Sequence, residues 1–320
     1  LGILSAMLVE EPPLSVEPGS NKSWLREKTD PYWEWATEHI ADTIPITADQ
    51  ATLAGLVGVT TGAALRMYSA QHGDKNPWLY IPALTLISGG LLMDSIDGKI
   101  AEIRGTKGQG AALDAGVDRI NNIVLGATKM ILAQQNESQI GEVLAALSTV
   151  TGQLPSFARG LAESKGLEVD EGGGSFMNFF GTHLGRSILT GIGLVLPHLL
   201  RIPKVASFID RKLPVSAEFL QNFPYQEIFD ALTTGMSTKV AYERYQIYKN
   251  PDPNHPKISK EKQDQAQKKI QSYKILMGIN IAAMLGTYAG LHQDEFVQVI
   301  EQMKQFSSPT SSSASAASAA

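Results

Sequence analysis

Apolar residues in this chain gather in long uncharged runs rather than in the short alternating segments that predict strands. The first run begins at Thr47 and, apart from Asp49, carries no charge until Arg66. Its Gly58 and Gly62 form a small-xxx-small pair of the kind that lets two helices approach closely in a bilayer. A second run of eighteen uncharged residues covers 76–93, just long enough to cross a membrane with little tilt. Further helices are predicted over 112–134, 141–164, 183–200 and a weakly apolar 224–248. A last uncharged run of nineteen spans Ile275–Gln293 and has its own Gly286/Gly290 pair. The pattern predicts an all-α protein, a polytopic membrane helix bundle of six or seven transmembrane helices. Ahead of it, PYWEWATEHIADTI after Asp30 mixes aromatics with acids and predicts an N-terminal amphipathic helix. Trp33 and Trp35 suit a membrane surface, and core packing suits them nearly as well.

The remaining segments divide the chain. Residues 1–29 read as a poorly ordered N-terminus, and 30–249 as the bundle with its interfacial helix. Residues 250–305 open on a Pro-rich break and a charged, solvated helix before the C-terminal apolar run. Residues 306–320 are a Ser/Ala tail of low complexity, expected to be disordered. The segment 201–222 reads as an excursion along a surface. No internal repeat is evident.

Composition pulls the other way. With 43% hydrophobic residues and a mean hydropathy of −0.06, the chain alone would lean toward a soluble helical protein. The absence of cysteine excludes disulfides and thiolate metal ligands. A net charge of −5 argues against general nucleic-acid binding. The apolar start LGILSAMLVEEPP lacks a basic flank, so no cleavable signal peptide is expected. Lys99, Arg104, Lys107 and the lysines of 257–274 predict a cytoplasmic face by the positive-inside rule. Arg201, Lys204, Arg211 and Lys212 would then lie outside, against the rule.

What tips the balance is the stretch DSIDGKIAEIRGTKGQGAALDAGVDR. On a helix, Asp94 and Asp97 stand roughly 60° apart, and Asp114 and Asp118 roughly 40°, so each pair shares a face. Gly105, Gly108 and Gly110 lie between the pairs and allow the chain to reverse. Two helices meeting there would aim four carboxylates into one pocket. Like charges that close raise one another's pKa unless cations neutralise them, and hard oxygen ligands suit Mg²⁺, Mn²⁺ or Ca²⁺. Most acids at these spacings are solvated surface. Here apolar segments flank both pairs, which makes an unpaired acid costly.

The segment resembles the signature of the CDP-alcohol phosphatidyltransferase family, D-x2-D-G-x2-A-R-x8-G-x3-D-x3-D. Asp94, Asp97, Gly98, Ala101, Gly110, Asp114 and Asp118 match it in order. Glu102 stands where the family has arginine, and the spacer to Gly110 is one residue short. Arg104 is the candidate for the missing positive charge. The resemblance implies one or two ions, Mg²⁺ or Mn²⁺, one held by Asp94, Asp97 and Asp114 and a second by Asp94, Asp114 and Asp118. It implies a CDP-linked lipid donor, with Thr52, Gly98, Ala101, Arg104 and Gly110 toward that lipid and its nucleotide. Thr47 and Thr52 match the phrase with which the family opens its first membrane helix, while Ala48 and Asp49 depart from it. Asp118 is the candidate general base, taking the acceptor's proton. A homodimer, an integral membrane location and an active site facing the cytoplasm are implied too.

A second constellation, PSFARGLAESKGLEVDEGGGSFMNFFGTHLGR, is similar to the acceptor-binding stretch of the branch that makes phosphatidylinositol phosphate. Arg159 falls where that branch has a lysine against the acceptor's phosphate, and Arg186 where it has another basic residue. Leu161 replaces a second basic residue, which leaves glycerol 3-phosphate open as the acceptor. An arginine fork suits phosphate, and snorkelling to head groups is the structural alternative. The glycines Gly172–Gly174 read as a flexible loop. No phosphate-cradling GxxxxGK[ST], nucleophile elbow or HExxH occurs, and the six histidines show no ligand spacing. Two rivals stand beside the transferase: a degenerate, non-catalytic member of the family, motivated by Glu102 and Leu161, and a Mg-dependent prenyltransferase. The latter needs a second acid-rich motif far along the chain, and none follows Asp118.

Overall fold

The computed structural model describes residues 38–39, 43, 45–72, 77–104, 111–169, 183–212, 216–294 and 297–298. Trp33 and Trp35, the glycine turn 105–110, the Gly172–Gly174 loop and the tail 306–320 lie outside them, as does most of the expected interfacial helix. The described residues are all-helical and contain no strand. In order the helices are α1 (Ala48–Gln71), α2 (Tyr80–Ile103), α3 (Ala111–Gln135), α4 (Gln139–Thr151) and α5 (Leu154–Ser164). They continue as α6 (His183–Leu199), α7 (Pro203–Lys212), α8 (Ala217–Gln221), α9 (Tyr225–Lys249) and α10 (Lys260–Leu291).

Helix α1 starts on a capping box. The Thr47 hydroxyl accepts from the Gln50 amide, and the Gln50 side chain accepts from the Thr47 amide. Thr47 therefore caps α1 at the position where the resemblance placed the opening of the family's first membrane helix. Further along, α1 and α2 pack backbone to backbone. A Cβ on Gly62 would come within 2.7 Å of the Ala83 carbonyl, and one on Gly90 within 2.6 Å of the Gly55 carbonyl. The small residues of 55–62 thus meet their partner in α2. Gly286 and Gly290 behave differently: a Cβ at either meets nothing within 4 Å, so that pair makes no close approach inside the chain.

Helix α3 lies against α1, and α6 against α2, around a core of Val59, Ile87, Leu91, Leu125, Leu132 and Leu194. The run expected as one helix over 141–164 is broken at Gly152–Gln153, with Pro155 in the first turn of α5. By contrast, the charged segment after Ser259 and the apolar run after 275 form one helix of 32 residues, α10. Its Ser259 cap accepts from the Lys262 amide. It packs on α3, α4 and α5. Helix α7, in the 201–222 excursion, buries none of its residues.

A buried polar knot ties α3, α4 and α9 together. Lys129 Nζ lies 2.6 Å from Asp230 Oδ1 and donates to Ser148 Oγ at 2.9 Å. Ser148 and Gln226 also donate to the Asp230 carboxylate, at 2.8 and 2.9 Å. Among the described residues one helix, Lys260–Leu291, is long and apolar enough to cross a membrane, and Tyr80–Met93 is a shorter apolar stretch.

Candidate functional site

The acids come first. Asp97, one turn beyond the apolar run that ends at Met93, is 7% exposed, and the Thr52 hydroxyl of α1 donates to its Oδ2 at 2.5 Å. Burial pushes the Asp97 carboxyl above the usual carboxylate range, while the Thr52 hydroxyl and the Gly98 amide pull it back. The charges of Asp118 and Asp49 push it further up. Asp97 and Asp118, one from α2 and one from α3, therefore share a field. Asp94 and Asp114 lie on the same two helices, one step before Asp97 and Asp118 respectively. Their side chains, and Gly110, fall outside the described residues.

Around the acids, Gly98 and Gly116 face open space: a Cβ on either would meet nothing within 4 Å. Ala101 is half-buried beside this opening. Glu102 reaches Lys99 at 4.0 Å, and Lys99 reaches Glu38 at 3.6 Å, an exposed rim of paired charges worth little energetically. Arg104 Nη1 donates to the Ile46 carbonyl, strapping the end of α2 to the start of α1.

Among the described residues no three His, Asp or Glu side chains form a ready metal cage. The donor chemistry of Asp97 and Asp118 is nonetheless that of a hard divalent cation, and among the described residues no cation pairs with buried Asp97. This sets a pH dependence. A raised folded pKa means the metal-free fold is penalised above it and relieved below the ordinary carboxylate value. A cation held there would require Asp97 to be ionised, so its affinity would fall as pH drops through that raised value. Thr52→Val removes a bond to the charged form and moves the loss to higher pH. Calorimetric Mn²⁺ titration in buffers of different ionisation enthalpy reads the released proton; affinity flat across the acid range would contradict the assignment.

Facing the acids is a set of buried guanidiniums. Arg119 of α3, Arg186 of α6 and Arg244 of α9 are 6%, 8% and 8% exposed. Arg186 feels the charges of Arg119, Asp118 and Arg244, so all four groups occupy one neighbourhood. Arg119 Nη1 stands 3.8 Å from Asp118 Oδ2, and Arg244 Nη1 donates to the Pro155 carbonyl at 3.0 Å. The break between α4 and α5 makes the room: a Cβ on Gly152 would sit 3.2 Å from Arg186 Nε. Arg119 Nε, Gln153 Nε2 and both amide atoms of Asn121 are buried without a hydrogen-bond partner among the described residues. Buried guanidiniums that act on one another, with unspent donors at Arg119, Gln153 and Asn121, suit an anion with several oxygens.

Of the two arginines singled out in the sequence, Arg186 lies in this cluster. Arg159 sits at its rim, 37% exposed, with Nε donating to Glu163 Oε1 at 2.6 Å. Arg119, Arg244 and Asn121 were not singled out. A charge beside the apolar run that follows it was the signal available for Arg119, whereas Arg244 lies in a segment with Glu227, Asp230, Lys239 and Glu243 and gave none. The chain matches no family model and no curated protein. The arrangement can hold a cation on the α2–α3 side and an anionic group on the α5–α6–α9 side, with Asp118 between.

Proposed function

We propose that the protein is a CDP-alcohol phosphatidyltransferase, moving a phosphatidyl or similar lipid-phosphate group from a CDP-linked lipid to a hydroxyl of a small phosphorylated polyol. The observation that carries the reading is Asp118, which stands 3.8 Å from the buried Arg119 guanidinium and whose charge reaches Asp97 on one side and Arg186 on the other. One or two Mg²⁺ or Mn²⁺ ions on Asp94, Asp97, Asp114 and Asp118 would neutralise the diphosphate and the departing CMP. The open backbone at Gly98 and Gly116 leaves space for the nucleotide. Thr52 holds the Asp97 carboxylate in place. Arg119 and Arg186 bind the acceptor's phosphate, and Arg244 braces the α5 end of the same pocket. Asp118 accepts the proton of the acceptor hydroxyl as that oxygen attacks the lipid-bearing phosphorus. The new P–O bond forms as the bond to CMP breaks, and CMP leaves with its electron pair.

The surface supports a membrane setting. Val57, Ile140, Leu147, Ile192, Ile279 and Leu285 are exposed large apolar side chains on α1, α4, α6 and α10. A bilayer is a solvent that would cover side chains of this kind, and the long apolar helix Lys260–Leu291 is of a length to cross it. On this reading six or seven of the helices span, the aspartates face the cytoplasm, and the protein is a homodimer. The assay is CMP release by purified protein in detergent, given CDP-diacylglycerol with inositol phosphate, glycerol 3-phosphate, serine or free inositol. Turnover with a phosphorylated acceptor, lost on chelation of the metal, supports the transferase. Metal binding without CMP release from any acceptor makes the chain a degenerate member of the family.

A further inference from the structure

The sequence sets 250–305 apart from the bundle, yet α10 runs along the α5 side of the site. The side-chain amides of Gln263 and Gln267 both donate to the Ser164 carbonyl at the end of α5, at 3.0 and 3.2 Å. Two turns further on, Tyr273 enters the gap between α5 and α3. On the α5 side a Cβ on Gly160 would lie 3.3 Å from the ring carbons Cδ2 and Cε2, so the ring approaches there to a distance at which a side chain would crowd it. On the α3 side the Arg119 guanidinium carbon lies over the ring, 5.6 Å from its centre. Tyr273 also feels the charges of Arg159, Glu163 and Asp118, which sets it in the same neighbourhood.

Arg119 is thus held on one side by an aromatic face and on another by a carboxylate 3.8 Å away, with its buried Nε unspent. A ring face attracts a guanidinium without occupying its N–H donors, which remain available in the plane. A second carboxylate in that place would have used them up. We propose that α10 completes the acceptor side of the site, with Tyr273 as a positioning residue that holds the Arg119 guanidinium edge-on to the acceptor's phosphate. This deepens the transferase reading and rests on it for the identity of the anion.

The test uses the full chain in detergent and the variants Tyr273→Leu and Tyr273→Phe. Tyr273→Leu raises the KM for the phosphorylated acceptor about tenfold, the scale of a desolvated cation–π contact. The KM for the CDP-linked lipid stays within error while the lost ring packing lowers the melting temperature modestly, and Tyr273→Phe behaves as wild type because the ring, not the hydroxyl, does the holding. Arg119→Lys combined with Tyr273→Leu is non-additive if the two act as one unit. A proportional rise in both KM values, or equal loss in Tyr273→Phe and Tyr273→Leu, overturns the proposal. Calorimetric titration with inorganic phosphate separates this from failure of the transferase reading. If no acceptor yields CMP, tenfold weaker phosphate binding by Tyr273→Leu still upholds the positioning role. Unchanged phosphate binding in that variant, or none by the wild-type chain, overturns it.

Discussion

Asp118→Asn is expected to lower CMP release by about a thousandfold or more, while leaving the helices folded. Loss of a general base alone removes about two to four powers of ten, and the same carboxylate is a proposed cation ligand. Asparagine keeps the shape but can neither accept the acceptor's proton nor offset charge. The electrostatic consequence is specific. Arg119, Arg186 and Arg244 share a buried neighbourhood in which Asp118 is the described opposing charge on Arg186. Without it their mutual repulsion rises, so the variant should melt lower than wild type in phosphate-free buffer and recover when inorganic phosphate is added. Discontinuous CMP assays and thermal melts with and without phosphate check both halves. Turnover within tenfold of wild type would remove Asp118 from the mechanism.

The largest stability effect is expected at the polar knot. Lys129 and Asp230 are 5% and 3% exposed at their side chains, and their ends lie 2.6 Å apart. Lys129→Met leaves the Asp230 carboxylate buried with only Ser148 and Gln226 donating to it. Breaking such a pair from one side costs about 3–5 kcal/mol, because an uncompensated charge stays behind. A melting point roughly 10 °C lower follows for a chain of this size. Removing both partners in Lys129→Met/Asp230→Leu takes away the stranded charge, so the double variant should regain most of the loss. Two single losses that simply add would mean the pair does not act as a unit. Catalytic constants measured on the double variant should stay near wild type, since the knot lies about three turns along α3 from Asp118.

Several features were open to reading from the chain alone. The hydropathy pattern matched the extents of α1, α3, α6 and α9 to within two residues, while α2 continues past the expected end at 93 to Ile103 and carries Asp97 on its last turns. The three- and four-residue steps between aspartates gave the acidic faces, because the helical repeat is set by the backbone and not by its neighbours. The apolar run 143–158 hid the break at Gly152 because hydropathy is blind to a bend inside an apolar stretch. The change of composition near 274 made α10 look like two pieces. A helix needs no uniform composition when different partners take its two halves, with Gln263 and Gln267 bonded to the end of α5 and Met284 buried against Met130 and Ala145.

Sequence by itself determined the all-helical class, the placement of most helices and the identity of the acids, all of which depend on residues within a turn or two of each other. Only the tertiary structure decided that Arg119 lies between Asp118 and the Tyr273 ring, that Gly62 and Gly90 belong to one seam, and that Lys129 finds Asp230 a hundred and one positions away. Such meetings follow from how whole helices pack, a balance of close contact and charge burial summed over the bundle. No local spacing along the chain encodes that sum.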